Sequence, residues 1–438
     1  MSESAVAPRY SNKIIHNAWA LFDSANSAHA LVITAAIFPA YFLNVTDETL
    51  QFAGISMYNS TLYAFCISAA FLVMAALSPL LSGIADYGGR RKAFMKFFTY
   101  LGSISCMLLF FFDGMATLYL GVFAFIFSVI GFTGGLVFYN SYLPLISEEA
   151  EYDRLSARGF AFGYIGSVIL LVVILAAIIN PQWVGLEDVG LITRFGFLLV
   201  GIWWMALAQV PFRYLPKDKK SHFTPKALKM GYLKIINVWR ELKTLKNVRT
   251  YLMAFFCYSL GVQTTIMLAA TFAETEMAFE TSELILLILI IQLVAVVGAY
   301  LFALVSGWKG NKFALIFQLF LWVTICILAY FVSTKINFYM VAGLVGLVLG
   351  GIQSLSRSSY AKLIAGHSKE STSYFSFYDV LEKMGVVLGT FCFGLVSQLT
   401  SSMRTSTLVL ALFFVIGLII LSKVDFSHSK NETHSTNS

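Results

Sequence analysis

The stretch Ser82–Lys92 reads "SGIADYGGRRK". It follows a long apolar run and precedes another. Three glycines, an aspartate and three adjacent cations interrupt an otherwise hydrophobic chain. Glycine permits a tight turn, and Arg90, Arg91 and Lys92 mark one side of a membrane if the flanking runs cross it. Asp86 can cap a helix or pair with a cation, and such a pair would latch two helices. The alternative is a turn that only sets topology.

The flanking runs do have membrane character. The 438 residues are 58% hydrophobic, 16% aromatic and only 12% charged, about half the charge of a typical soluble domain. Crossing the hydrocarbon core takes about 20 apolar residues in a helix. Twelve such runs are legible, near 17–43, 58–85, 94–112, 116–142, 158–180, 191–213, 248–272, 281–304, 312–332, 337–361, 377–399 and 404–422. Lipid offers the backbone no hydrogen-bond partner, and no alternating barrel pattern competes with helices. The expected fold is an all-α membrane protein of two six-helix halves.

The charges give orientation. Only Arg194, Lys335 and Arg404 fall on one side, so 27 of the 30 lysines and arginines lie on the other, with both termini. That side is expected to be cytoplasmic. The net charge of +7 is thereby a topology signal, and no nucleic-acid partner is expected. Residues 1–213 form the first half, 214–247 a cytoplasmic middle loop, 248–423 the second half and 424–438 a disordered tail. Within the loop, Ile235, Trp239, Leu242 and Leu245 recur near helical spacing between cations. An amphipathic helix along the membrane surface is expected there.

The five cysteines are scattered and give no disulfide framework or metal spacing. The six histidines are equally dispersed, which disfavours a membrane-embedded lipid-modifying enzyme. A non-transporting receptor or sensor stays open as a rival. No phosphate-cradling G-x-x-x-x-G-K-[ST] loop is present. No cofactor and no metal are expected; membrane lipids surround the chain, and a monomer is expected.

The halves echo each other. Gly134-Gly135 and Gly350-Gly351 stand 216 residues apart at matching places, as in transporters built from two repeats around a midplane site. Small residues at spacing four (Gly159 and Gly163, Gly385 and Gly389) fit close helix packing. The loop matching the opening motif, "SGWKGNK" from Ser306, has no aspartate, so a latch is expected on one half only.

Ionisable residues within spans are costly and mark candidate sites. Asp23, Asn26 and His29 recur every three residues in the first span. Asp23 could carry a proton or bind an amine, and His29 could relay a proton; the alternative for each is a structural hydrogen bond. Tyr139 and Asn140, and Gln263 with Thr264, could bond a substrate or join helices. Gln353 and Arg357 lie one turn apart, and Arg357 could fork onto a substrate carboxylate, Asp379 or Glu382. Asp379, Glu382 and Lys383, with Gly83, Asp86, Gly89, Arg90 and Arg91, are read as gating residues.

The motif from Gly83 to Lys92 resembles the signature loop of the major facilitator superfamily. "WALFDSANSAHALVITAAIFPAYF" from Trp19, "FYNSYLPLI" from Phe138, and "GGIQSLSRSSYAKLI" with "FSFYDVLEKMG" resemble the vacuolar amino-acid effluxers (autophagy-related permeases) and their bacterial relatives. One departure is Leu260, where relatives commonly carry an acid. The resemblance implies a secondary transporter that moves a small metabolite such as an amino acid, by efflux or exchange; proton coupling is expected from Asp23 and the span-eleven acids, and the inner membrane of a bacterium is the expected location.

Overall fold

The computed structural model describes residues 11–217 and 225–426. Its twelve candidate membrane spans are Asn12–Val45, Asn59–Gly88, Arg91–Phe111, Met115–Ile146, Glu149–Ile179 and Val189–Tyr214, then Lys246–Met277, Glu283–Lys309, Asn311–Phe331, Lys335–Leu363, Ala365–Thr400 and Met403–Leu421. We number them one to twelve. Large apolar side chains such as Phe65, Phe123, Phe320 and Phe391 point outward, where lipid tails would solvate them. Between spans one and two, β1 (Thr49–Phe52) and β2 (Ile55–Tyr58) form a small antiparallel hairpin.

Most spans start a few residues earlier than expected, and the departure is largest at two of them. Span five includes Asp153, and the α-helix of span eleven begins at Ser371. Both segments are too polar to look lipid-facing, and both are buried against other helices instead. Hydropathy reports only contact with lipid, so it misses helix sheltered by protein.

Span one is not a uniform helix. It is α-helical over Asn12–Ala28, widens to a π-helix over His29–Ala36, and resumes as α-helix over Ile37–Val45. Pro39 has no N–H to give the Ala35 carbonyl in the α pattern, which suits a wider turn just before it. Such insertions often accompany functional sites.

Small residues let helices approach, mostly inside each half. A Cβ on Gly163 would lie 2.6 Å from Ser27 Oγ of span one, and one on Gly131 would meet the Gly102 backbone of span three at 2.4 Å. On Gly350 it would reach the Ala295 carbonyl of span eight at 1.9 Å, and on Gly389 the Thr264 hydroxyl of span seven at 2.2 Å. The matched glycine pairs of the two halves therefore face different neighbours: Gly134 packs on Phe98, whereas Gly350 packs on backbone.

The middle helix, Pro225–Thr244, packs partly against protein: of its expected stripe Leu242 is buried, Ile235 half-buried and Trp239 half exposed. Val238 and Leu242 are buried, and the Gly231 backbone lies against Gly83 and Ile84 of span two. Its other contacts reach span eleven. Lys234 pairs with Glu370 at 3.2 Å, Glu241 accepts from the Tyr374 hydroxyl at 2.8 Å, and Trp239 stacks on Phe377. Residues 218–224 of the middle loop and the tail from 427 lie outside the described residues. Val424 and Phe426, at the start of the expected disordered tail, are ordered: Val424 is buried and Phe426 packs edge-on against Tyr251.

Candidate functional site

A cavity of about 270 Å³ lies between the halves. Of the residues singled out in the sequence, Asp23, Asn26, Asn140, Gln263, Gln353, Arg357, Asp379, Glu382 and Lys383 line it. His29, Tyr139 and Thr264 do not. His29 is fully buried, with Nε2 3.0 Å from Ser128 Oγ and its ring stacked on Phe132. Three residues advance an α-helix by 300°, so His29 sits about 120° around from Asp23. Thr264 donates to the Leu260 carbonyl of its own helix and lines a separate, apolar cavity within the second half. Tyr139 stands behind the wall, its hydroxyl donating to Asp23 Oδ2 at 2.8 Å.

Arg357 closes the cavity toward the basic end. Its Nη1 lies 3.2 Å from Asp23 Oδ2 and 3.2 Å from Asn140 Oδ1, while Nε and Nη2 donate to the hydroxyl and carbonyl of Ser156. The guanidinium rests over the rings of Phe160 and Trp19, at 4.2 and 4.7 Å. The partner is thus Asp23, across the molecule, in place of Asp379 or Glu382. A Cβ at Gly159 would sit 2.7 Å from Asp23 Oδ2 and 2.8 Å from Arg357 Nη2, so glycine leaves room for this pair.

Span eleven supplies the other charges. Lys383 pairs with Asp379 one turn away, and Asp379 also accepts from Ser78 of span two at 3.2 Å. Glu382 accepts from Gln263 Nε2 at 2.9 Å. The sequence pattern placed these three at a gate; they also face the cavity.

Below Arg357, toward the basic end, the halves are tied twice. In the first tie, Asp86 bonds Arg91 Nη2 at 2.8 Å and accepts the Ser373 N–H and hydroxyl, both at 2.7 Å. It therefore caps span eleven, whose N-terminal N–H groups favour an anion. Arg91 Nε donates to Thr372 Oγ1 at 2.6 Å. Arg90 stands at the N-cap of span three, and Gly89 takes φ +58° to end span two. Gly83 makes no turn; it admits the middle helix.

The second tie was missed. Asp153 of span five pairs with Lys362 at 2.6 Å, accepts from Asn311 Nδ2 at 2.8 Å, and takes the Ser306 hydroxyl. The loop at Ser306 lacks an aspartate of its own, but the opposite half provides one. The sequence signal was "EEAEYDRLSARG", an acid-rich connection read as a loop, in which Asp153 is in fact helical and buried.

Twelve spans in two halves about a central cavity with polar and charged groups in its wall define a transporter of the major facilitator type. Solved structures agree in fold. The major facilitator superfamily transporter FucP in its outward conformation superposes with a TM-score of 0.70 at 13% identity, over 94% of this chain and 98% of that one. The proton:xylose symporter XylE gives 0.70 at 11% identity, over 94% and 95%. The family model described as "Vacuole effluxer Atg22 like" matches residues 11–434, and the chain belongs to that family. An uncharacterized MFS-type transporter, YxiO of Bacillus subtilis, is 31% identical over 95% of this chain and 97% of its own. Autophagy-related protein 22 of Saccharomyces cerevisiae is 24% identical over 85% and 79%.

Proposed function

We propose that the protein is a secondary transporter that exports a small metabolite by alternating access, with both termini in the cytoplasm of a bacterium and the central cavity as the solute site. One observation carries this reading: the cavity is walled by both halves and bounded toward the basic end by Arg357, Asp86 and Asp153. Asp23, Asn26, Asn140, Gln263, Gln353 and Arg357 contribute its polar lining, and an amine-bearing solute related to an amino acid is the first class to test. The asymmetry of 27 cations against three supports a cytoplasmic basic end. With the halves tied at that end, the conformation is then outward-facing.

Proton coupling belongs to span eleven in this reading. Asp23 is engaged by Arg357 and Tyr139, whereas Glu382 holds only an amide donor among the described residues. A carboxyl that can be neutralised without breaking an ion pair suits a carrier that must exchange its proton each cycle. Proteoliposomes loaded with a mixture of labelled amino acids and simple amines provide the test. Efflux driven by an imposed pH gradient is expected for the native chain. Glu382→Gln is expected to abolish the gradient's effect, while exchange without a gradient persists only at raised solute concentration. No flux of any solute would remove the transporter reading; gradient-driven flux in Glu382→Gln would remove Glu382 as carrier.

A further inference from the structure

Five acidic or basic side chains line the central cavity: Asp23, Arg357, Asp379, Glu382 and Lys383. Four are spent on each other, as Arg357 with Asp23 and Lys383 with Asp379. Glu382 is left. Among the described residues no cation stands at ion-pair distance from it, and its one hydrogen bond comes from Gln263. Three carboxylates against two cations leave a formal charge of −1. A carboxylate held in a sheltered site without a counter-charge is costly and is relieved by a cation or a proton. An incoming carboxylate finds the reverse situation. Both cations already hold aspartates, and binding an acid would mean displacing one.

Two further observations point to a ligand. Asn26 is fully buried at the cavity wall, and neither its side-chain oxygen nor its nitrogen has a partner. The Ser259 hydroxyl, 2% exposed and on the same wall, has none either. Beside Glu382 the wall is aromatic. Tyr378 lies one turn before it, stacked on Phe255 at 3.9 Å, with Tyr258 edge-on to Phe255. An aromatic wall beside a carboxylate offers the apolar body of an organic cation a contact next to its counter-charge.

We propose that the cavity takes a monocationic amine with an apolar body, its ammonium at Glu382 and its apolar part against Phe255, Tyr258 and Tyr378, in preference to a zwitterionic amino acid. This rests on the reading above only in taking this cavity as the solute site. The test is equilibrium binding to the purified full-length protein, by calorimetry, with three matched pairs: 3-methylbutylamine and leucine, phenethylamine and phenylalanine, tryptamine and tryptophan. At least one amine is expected to bind about tenfold or more tighter than its amino acid, with affinity falling toward acid pH as protons compete. Glu382→Gln should weaken that amine about thirtyfold or more, the scale of losing one partner of a buried charge pair, and Glu382→Asp should retain part of the affinity. A melting curve like the native one certifies that each variant is folded. The proposal is overturned if no amine binds, if an amino acid binds as tightly as its amine, or if Glu382→Gln binds unchanged. Amine binding without flux would sink the transporter reading and leave this one. Flux of a zwitterion through the native cavity would do the opposite.

Discussion

At Arg357, four of the five guanidinium N–H groups find acceptors at Asp23, Asn140 and Ser156, under aromatic cover. All of those acceptors belong to the first half. Removing one member of such a buried pair strands the other, at a cost of about 3–5 kcal/mol. The cost falls only on the conformation in which the pair is made. Arg357→Ala and Asp23→Ala should therefore each shift the molecule away from closure at the basic end, by roughly a hundredfold in population if about 3 kcal/mol is lost. The double variant Asp23→Asn with Arg357→Gln should recover part of that shift, because neither charge is then stranded. Solvent accessibility of a cysteine at Ser354, buried beside Ser156 in the closed state, measures it; equal accessibility in all four proteins would refute the role. Both residues were visible in the sequence as charges inside spans. Their partnership was not, because 334 positions separate them and no local rule selects Asp23 over Asp379.

At the scale of elements, the middle helix shows what a pattern leaves open. Its spacing of apolar residues is helical, but that pattern says only that one face is covered, not whether lipid or protein covers it. The answer lies in Gly83, which looks like a turn residue and instead makes room for a backbone. A Cβ there would stand 2.4 Å from the Gly231 carbonyl oxygen and 2.8 Å from Ile235, and a backbone group cannot swing aside as a side-chain tip can. Gly83→Ala is expected to lift the middle helix, and with it the bridge to Glu370, Tyr374 and Phe377. In a cysteine-free background, Val238→Cys, buried in the native chain, should become reactive to maleimide. Gly88→Ala supplies the control, since a Cβ there meets only the Arg90 side chain at 3.8 Å. Unchanged protection at Val238 in Gly83→Ala would show that this contact does not hold the helix.

For the whole molecule, the sequence carried span count and the direction of the basic face, because both are properties of composition summed over long stretches. It could not carry which end is shut, because that depends on pairings between residues in different halves. Among the described residues, side-chain hydrogen bonds between the halves run through Asp86, Arg91, Ser141, Asp153 and Ser156 on the basic side of the cavity, while Asp23, Ser78, Asn140 and Tyr164 bond the second half at the cavity wall itself. Toward the opposite face the ion pairs stay within one half, as with Lys335 and Glu283 or Arg404 and Glu276. A rocking transporter must break the first group to release solute on the basic side. Ser141 Oγ and Thr372 Oγ1, one from each half, lie 3.3 Å apart, so cysteines at both positions bring two sulfurs near bonding range. In the cysteine-free background, oxidation of Ser141→Cys with Thr372→Cys is expected to join the halves, stop flux almost completely and leave solute binding from the opposite face intact. Reduction should restore flux. Continued flux through the oxidised protein would mean that these residues can stay together throughout the cycle, and closure at this end would then be no part of transport.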